Sequence, residues 1–220
     1  MRLLFVRPKV RTSVHAPLGL LHLASGLRSR GHEAAILDGM VAEVTPEVAA
    51  LKVREWSADA VGFGGMSCEY PENNAFALRL RQLIPSVTFI FGGPHATGNA
   101  EQCLREGADF VVTGEGEVVL PRLLDSMLSG HAVSRVWIGV PPDLEQEPEP
   151  AYDLVDMESY IRASGPWFFP HGRRPFPVMT SRLPLSVLVL PQSTWETIPR
   201  HLTYARCQSY CESRSPPSCR

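Results

Sequence analysis

The chain has 220 residues, with 21 Lys and Arg against 23 Asp and Glu and a formal net charge of -2. That length suits one full domain plus an appendage, and the balanced charge without a basic run excludes nucleic acid and anionic membrane as expected partners. No stretch approaches the ~18 apolar residues of a membrane span, and the apolar run in MRLLFVRPKVR is too short for a signal peptide, so the expected compartment is the cytoplasm.

In chain order, Leu3–Val6 reads as a first short strand, followed by a polar loop over 8–17. Leu18–Arg30 carries Leu20, Leu21, Leu23, Ala24 and Leu27 at helical spacing and stops at Gly31. Glu33–Asp38 is a second strand. Pro46–Trp56 is a second helix, with Thr45 as its N-cap and Pro46 at its first position. Ala58–Gly64 is a third strand ending in Gly64-Gly65, and Tyr70–Ile84 is a helix with Phe76, Leu80, Leu83 and Ile84 on one side. Val87–Phe91 is a fourth strand that stops at Gly92-Gly93, and Asn99–Glu106 is a short helix closed by Gly107. Asp109–Thr113 is a fifth strand, and Val118–Leu128 is the helix after it. Val133–Val140 holds one more short strand segment, 141–150 is an acidic, proline-rich linker, and 151–161 holds a turn of helix.

Strands that alternate with helices predict an α/β fold: a five-stranded parallel flavodoxin-like sheet, order 2-1-3-4-5, with helices on both faces. Ligands on such folds bind beyond the carboxyl ends of the strands. The loops there are 8–17, 64–70, 92–97 and 113–117, and three of the four carry paired or near-paired glycines. Glycine at a strand end admits a bulky ligand to the backbone because no Cβ stands in the way. After Gly92-Gly93, Pro94 stiffens the exit, and His95 and Thr97 bring polar groups to the same edge.

Other chemistries of this fold are excluded by the loops. A phosphoacceptor site needs acidic residues after the first strand and an Asp ending the third, where this chain has Arg7-Pro8 and Gly64-Gly65. The first loop has no glycine, so it is not a G-x-G-x-x-G dinucleotide loop. Neither G-x-S-x-G nor H-E-x-x-H occurs. Glycines after strands three and four suit a broad, flat ligand across the sheet edge.

The blocks APLGLLHLASGLRSRGHEAAILD, ADAVGFGGMS, FIFGGPHAT and ADFVVTGEGE resemble, in order and spacing, the cobalamin-binding domain at the front of cobalamin-dependent radical SAM proteins. The anaerobic magnesium-protoporphyrin cyclase type is the nearest flavour. EPEPAYDLVDMESYI and FPVMTSR resemble the linker into that family's catalytic barrel, so the resemblance covers residues 1–182. It implies a corrinoid on the carboxyl edge, facing Pro17, Leu18 and Gly19; Gly64, Gly65, Met66 and Ser67; Gly92, Gly93, Pro94, His95 and Thr97; and Gly114, Glu115, Gly116 and Glu117. Ser67 and Thr97 would bond its amides. Glu115 and Glu117 either accept from those amides or simply complement a helix N-terminus. The D-x-H-x-x-G loop that supplies an axial histidine in the methionine-synthase branch is absent. His15 lacks its flanking Asp and Gly, and His95 either ligates cobalt or orients its loop. Gly93→Val is expected to clash with the corrin and leave the fold intact.

The sequence departs from the family after Arg182. The family continues with C-x-x-x-C-x-x-C, three thiolates that hold a [4Fe–4S] cluster whose fourth iron binds SAM. Here the five cysteines are Cys68, Cys103, Cys207, Cys211 and Cys219, neither that motif nor a disulfide framework. Codons for Arg182–Pro191, regrouped by one base, permit G-C-P-Y-R-C-S-F-C-P, so 183–220 reads as a frameshifted tail that does not pack. The expected organisation is a cobalamin-binding domain over 1–140, a linker over 141–182 to an absent radical SAM barrel, and the tail. Alone, the chain is expected to bind corrinoid and catalyse nothing, with neither cluster nor SAM. A stand-alone module serving a radical SAM barrel in trans and a cofactor-free regulatory or interaction domain are the competing readings.

Overall fold

The computed structural model describes residues 1–10, 14–131, 134–143 and 145–163. The expectations for 164–182 and for the tail 183–220, with Cys207, Cys211 and Cys219, lie outside the described residues. The elements are β1 (Arg2–Arg7), α1 (Leu18–Ser29), β2 (Glu33–Asp38), α2 (Pro46–Trp56), β3 (Ala60–Gly64), α3 (Tyr70–Leu83) and β4 (Thr88–Gly92). They continue with α4 (Gly93–Gly98), α5 (Ala100–Arg105), β5 (Phe110–Thr113), α6 (Gly116–Leu128), β6 (Val136–Ile138), a 3-10 turn (Tyr152–Leu154) and α7 (Met157–Ala163).

All strand pairs are parallel, in the order β2-β1-β3-β4-β5-β6. The flavodoxin-like order expected for the first five strands holds, and β6 adds a sixth at the edge. Strand side chains alternate between two cores, as a period of two requires. Leu4, Val6, Val61, Phe63, Phe89, Phe91 and Val111 face one core, where Ala49, Val53, Ala77, Leu80 and Cys103 of α2, α3 and α5 cover them. Leu3, Phe5, Ala60, Ile90 and Val112 face the other, covered by Ala24 and Leu27 of α1 and by Leu120, Leu123 and Leu124 of α6. Each fully buried Leu, Phe or Val contributes on the order of 1.5–3 kcal/mol, so the doubly covered sheet is the stabilising centre.

Local signals place the helices. Thr45 caps α2 by accepting from the Val48 amide (3.2 Å), and Pro46 opens the helix. In α6, Pro121 has no N–H to give the Glu117 carbonyl. Gly26 of α1 lies against that same carbonyl, and a Cβ on it would stand 3.4 Å away. The two helices therefore approach closely at this point.

One element was not anticipated. Gly93–Gly98 forms α4 where a loop was expected, because glycine and proline read as helix breakers. Gly93 makes the turn at φ +82, and Pro94 sits in the first turn, where its missing N–H costs no bond. The packing also runs on past β6. Ala151 and Tyr152 are buried, Leu154 packs on the α1–α6 side, and Tyr160 of α7 is 3% exposed.

Candidate functional site

The glycine-rich loops meet at the carboxyl ends of β3, β4 and β5. Gly64 and Gly92 are register partners there. A Cβ on Gly64 would lie 3.4 Å from the Gly92 carbonyl, and one on Gly93 3.2 Å from the Gly65 amide nitrogen. The His95 amide donates to the Gly65 carbonyl (3.1 Å), which ties the start of α4 to the β3 loop. Thr97 Oγ1 donates to the Gly93 carbonyl (2.9 Å) and accepts from the Gly114 amide (3.0 Å), which ties α4 to the β5 loop. Three loops are thus one continuous rim. Met66 projects from it 59% exposed, an apolar side chain left on the surface, and Ser67 is exposed beside it.

The remaining expected residues lie in these loops or at the start of α1. Pro17 is the residue before α1 and is buried, Leu18 is half-buried, and Gly19 is exposed with open space beside its Cα. Pro94 is exposed. Glu115 precedes α6 and is half-buried, as is Gly116, whereas Glu117 is buried. Glu115 is therefore the carboxylate nearer solvent. Gly93 corrects the expectation placed on its substitution. At φ +82, with its would-be Cβ against Gly65, a valine would first strain the protein's own backbone. Such a variant would therefore report backbone strain as well as any clash with a ligand.

His95 turns inward. It is 8% exposed, stacks on Tyr70 with ring centroids 3.8 Å apart, and its Nδ1 lies 3.2 Å from Ser67 Oγ. This geometry fits the loop-orienting role. A cavity of about 10 Å³ is lined by Phe63, Tyr70, Asn73, Phe91, His95 and Cys103 and by Gly64, Gly65 and Gly92 of the rim. That is room for about one water molecule. His95 Nε2 and Asn73 Oδ1 are buried on residues lining it and have no hydrogen-bond partner. Such atoms carry a desolvation cost unless something polar meets them. Asn73 also donates to the Gly64 carbonyl (3.3 Å), which holds α3 against the rim.

A buried polar chain runs from there toward the surface. Tyr70 Oη donates to Glu106 (2.8 Å), and Asn74 and Gln102 donate to the same carboxylate, each at 3.0 Å. Burial, then the Glu106 carboxylate, pushes the Tyr70 phenol well above its ordinary range, and burial pushes the Cys103 thiol up. Sequence reasoning missed Asn73 and Tyr70 as supports of the rim. The signal available was Asn73 and Tyr70 on the apolar side of a helix that follows the Gly-Gly loop.

Comparison with known proteins adds the following. Residues 9–124 match the B12 binding domain family. An uncharacterized methyltransferase of Pyrococcus horikoshii is 29% identical over 207 residues, 83% of this chain and 43% of that protein. The anaerobic magnesium-protoporphyrin IX monomethyl ester cyclase of a Synechocystis strain is 25% identical over 167 residues, 68% of this chain and 34% of that protein. The chain thus spans less than half the length of these relatives. Among solved structures, the cobalamin-dependent S-adenosylmethionine radical enzyme OxsB, with aqua-cobalamin and S-adenosylmethionine bound, superposes with a TM-score of 0.62 at 16% identity. That match covers 73% of this chain and 25% of OxsB, and it bears on the fold.

Proposed function

The chain belongs to the B12-binding domain family, and on that premise we propose that it holds a corrinoid on the rim formed by Gly64–Ser67, Gly92–Thr97 and Gly114–Glu117, as the front portion of a cobalamin-dependent radical SAM enzyme. The observation that carries this reading is the joining of three glycine-bearing strand ends into one edge, by the His95–Gly65 and Thr97–Gly114 hydrogen bonds. The family match ends at residue 124, beyond all three loops.

The residues fit such a group. Met66 supplies an exposed apolar contact for a flat ring, while Gly64, Gly65 and Gly92 let the rim pack on itself, since a Cβ on them would meet the Gly92 carbonyl, the Asn73 and Glu69 side chains and the Val112 carbonyl in turn. Ser67 Oγ faces His95, so either hydroxyl or ring can hold the shared proton. Thr97 has already given its hydrogen to Gly93, so it can meet a peripheral amide only as an acceptor of that amide's N–H. Glu115, at the start of α6, is a second acceptor. A bound corrinoid would supply a cobalt centre able to carry a one-carbon unit or an electron. The protein's part is to bind the ring, orient it and cover one face.

Catalysis belongs to a radical SAM barrel, in cis in the parent enzyme or in trans beside this chain. The test is to incubate the full chain with hydroxocobalamin, remove free ligand by gel filtration and record the visible spectrum. A stoichiometric corrin spectrum supports the reading, and its absence favours a cofactor-free scaffold. Gly19→Val adds bulk where the protein leaves open space. It should lower retention while the circular dichroism is unchanged. Full retention would move the site away from the start of α1.

A further inference from the structure

Ionisable groups that the glycine rim does not use gather at the carboxyl ends of β1 and β2. Arg7 ends β1, Asp38 ends β2, and the two are register partners. Their side chains are 12% and 3% exposed, and Arg7 Nη1 lies 3.2 Å from Asp38 Oδ2. A buried ion pair offsets its desolvation only when its spare lone pairs are also satisfied. Asp38 Oδ1 accepts from the Met40 amide (2.8 Å), and Asp38 Oδ2 accepts from the Tyr160 hydroxyl (2.6 Å).

Tyr160 comes from far along the chain, and the segment that brings it is fastened at several points. Ser25 Oγ donates to the Glu149 carbonyl, and the Ala151 amide donates to the Leu21 carbonyl (3.1 Å). Arg28 grips both oxygens of Asp153 at 3.0 and 2.8 Å. Residues 149–163 thus form a strap along α1, which α7 ends by placing Tyr160 on Asp38. On its other side Arg7 spends donors on His15. Nη1 donates to the His15 carbonyl (2.9 Å), and Nη2 is 3.4 Å from His15 Nε2. His15 leads straight into Pro17, Leu18 and Gly19 at the edge of the rim.

We propose that Tyr160 is a positioning residue for corrinoid binding: through Asp38 and Arg7 it holds His15–Gly19 in the receiving conformation, so that docking of the strap and occupation of the rim are coupled. The proposal rests on the reading of the rim as a corrinoid site. A buried phenol must find an acceptor, and the one Tyr160 finds is the carboxylate that pairs with Arg7. Because binding free energies are reciprocal, whatever factor the docked strap adds to corrinoid affinity the corrinoid adds to strap docking.

The test uses the full chain as wild type, Tyr160→Phe and Arg7→Lys. Tyr160→Phe keeps the ring and loses one hydrogen bond. Arg7→Lys keeps a cation beside Asp38 but loses the fork that also reaches His15. Without ligand, amide exchange in a peptide covering 14–21 should rise about tenfold in both variants, and exchange over 149–163 should rise in Tyr160→Phe alone. With hydroxocobalamin, both should bind about tenfold more weakly than wild type, the equivalent of ~1.4 kcal/mol. The ligand should also slow protease cleavage of the strap in wild type but not in Tyr160→Phe. If wild type binds and Tyr160→Phe binds equally well, or if exchange over 14–21 is unmoved, the positioning role is overturned while the rim reading stands. If wild type retains no corrinoid, the rim reading fails and this proposal fails with it. Should Tyr160→Phe not fold, the Arg7→Lys exchange and affinity decide alone.

Discussion

At the ends of β3, β4 and β5 three contacts that join the loops have backbone on at least one side: the His95 amide on the Gly65 carbonyl, the Gly114 amide on the Thr97 hydroxyl, and glycine against glycine between Gly64 and Gly92. At the ends of β1 and β2 side chains do that work, with Arg7, Asp38 and Tyr160 joined in a buried set. The first region brings strand ends and loops into close contact, and so must be built from residues that have little side chain. In the second, a buried carboxylate is held by three donors, and on the proposal above this set governs where His15–Gly19 stands. Substitutions in the two regions should fail in different ways.

The largest effect is expected from Asp38→Ala. It leaves the Arg7 cation, 12% exposed, with the His15 carbonyl but without its buried carboxylate, removes the acceptor of the Tyr160 hydroxyl, and should cost about 3–5 kcal/mol in urea unfolding. A cost below ~1 kcal/mol would mean that water reaches this pair and that the contrast between the regions is false. Next is Gly139→Ala, on the backbone side. A Cβ there would lie 1.8 Å from the Glu115 carbonyl oxygen, so β6 or the β5–α6 turn must move. The expected cost is about 1–3 kcal/mol, read as a lower urea midpoint.

Titration gives a third test, on a scale that depends on pH. Burial holds the Tyr70 and Tyr160 phenols above their ordinary 10.0, and the Cys103 thiol above 9.0. The folded state then keeps protons that the unfolded chain gives up. Their contribution is complete below about pH 9 and is lost as pH rises beyond the unfolded values. Urea midpoints should therefore fall from pH 9 to 11. Tyr160→Phe and Tyr70→Phe should each flatten that fall, and curves parallel to wild type would show that neither phenol is held proton-bound. The smallest effect lies outside both regions. Thr45→Ala removes the cap on the Val48 amide and should cost ~1 kcal/mol, a calibration for the others.

The contrast also explains what the sequence shows and what it hides. Strands with β-branched and aromatic runs, Pro46 after Thr45, and paired glycines at strand ends are local signals, and they located five strands, the cap of α2 and the three rim loops. Helix α4 escaped because the residues that start it, Gly93 and Pro94, are the ones that announce a loop elsewhere. Asn73 escaped because a single polar residue on a helix says nothing about the Gly64 carbonyl it will face. Gly139 looks like ordinary punctuation after a short strand, since its need comes from Glu115 on the neighbouring turn. Tyr160 meets Asp38 across 122 residues, and no periodicity or spacing connects two such positions. The strap reads as part of a linker for the same reason: it follows the acidic, proline-rich stretch 141–150, while its anchors lie far back on α1.

That long separation has a consequence for how the chain is made. At about 5–20 residues per second, Tyr160 is synthesised roughly 6–25 s after Asp38. The residues of β2 to β6 have been polymerised by then, and of the three donors to Asp38 both Arg7 and Met40 lie on the segment already made. The hydrogen bond that completes the Arg7–Asp38–Tyr160 set is therefore made only after the residues of β1 to β6 have been synthesised.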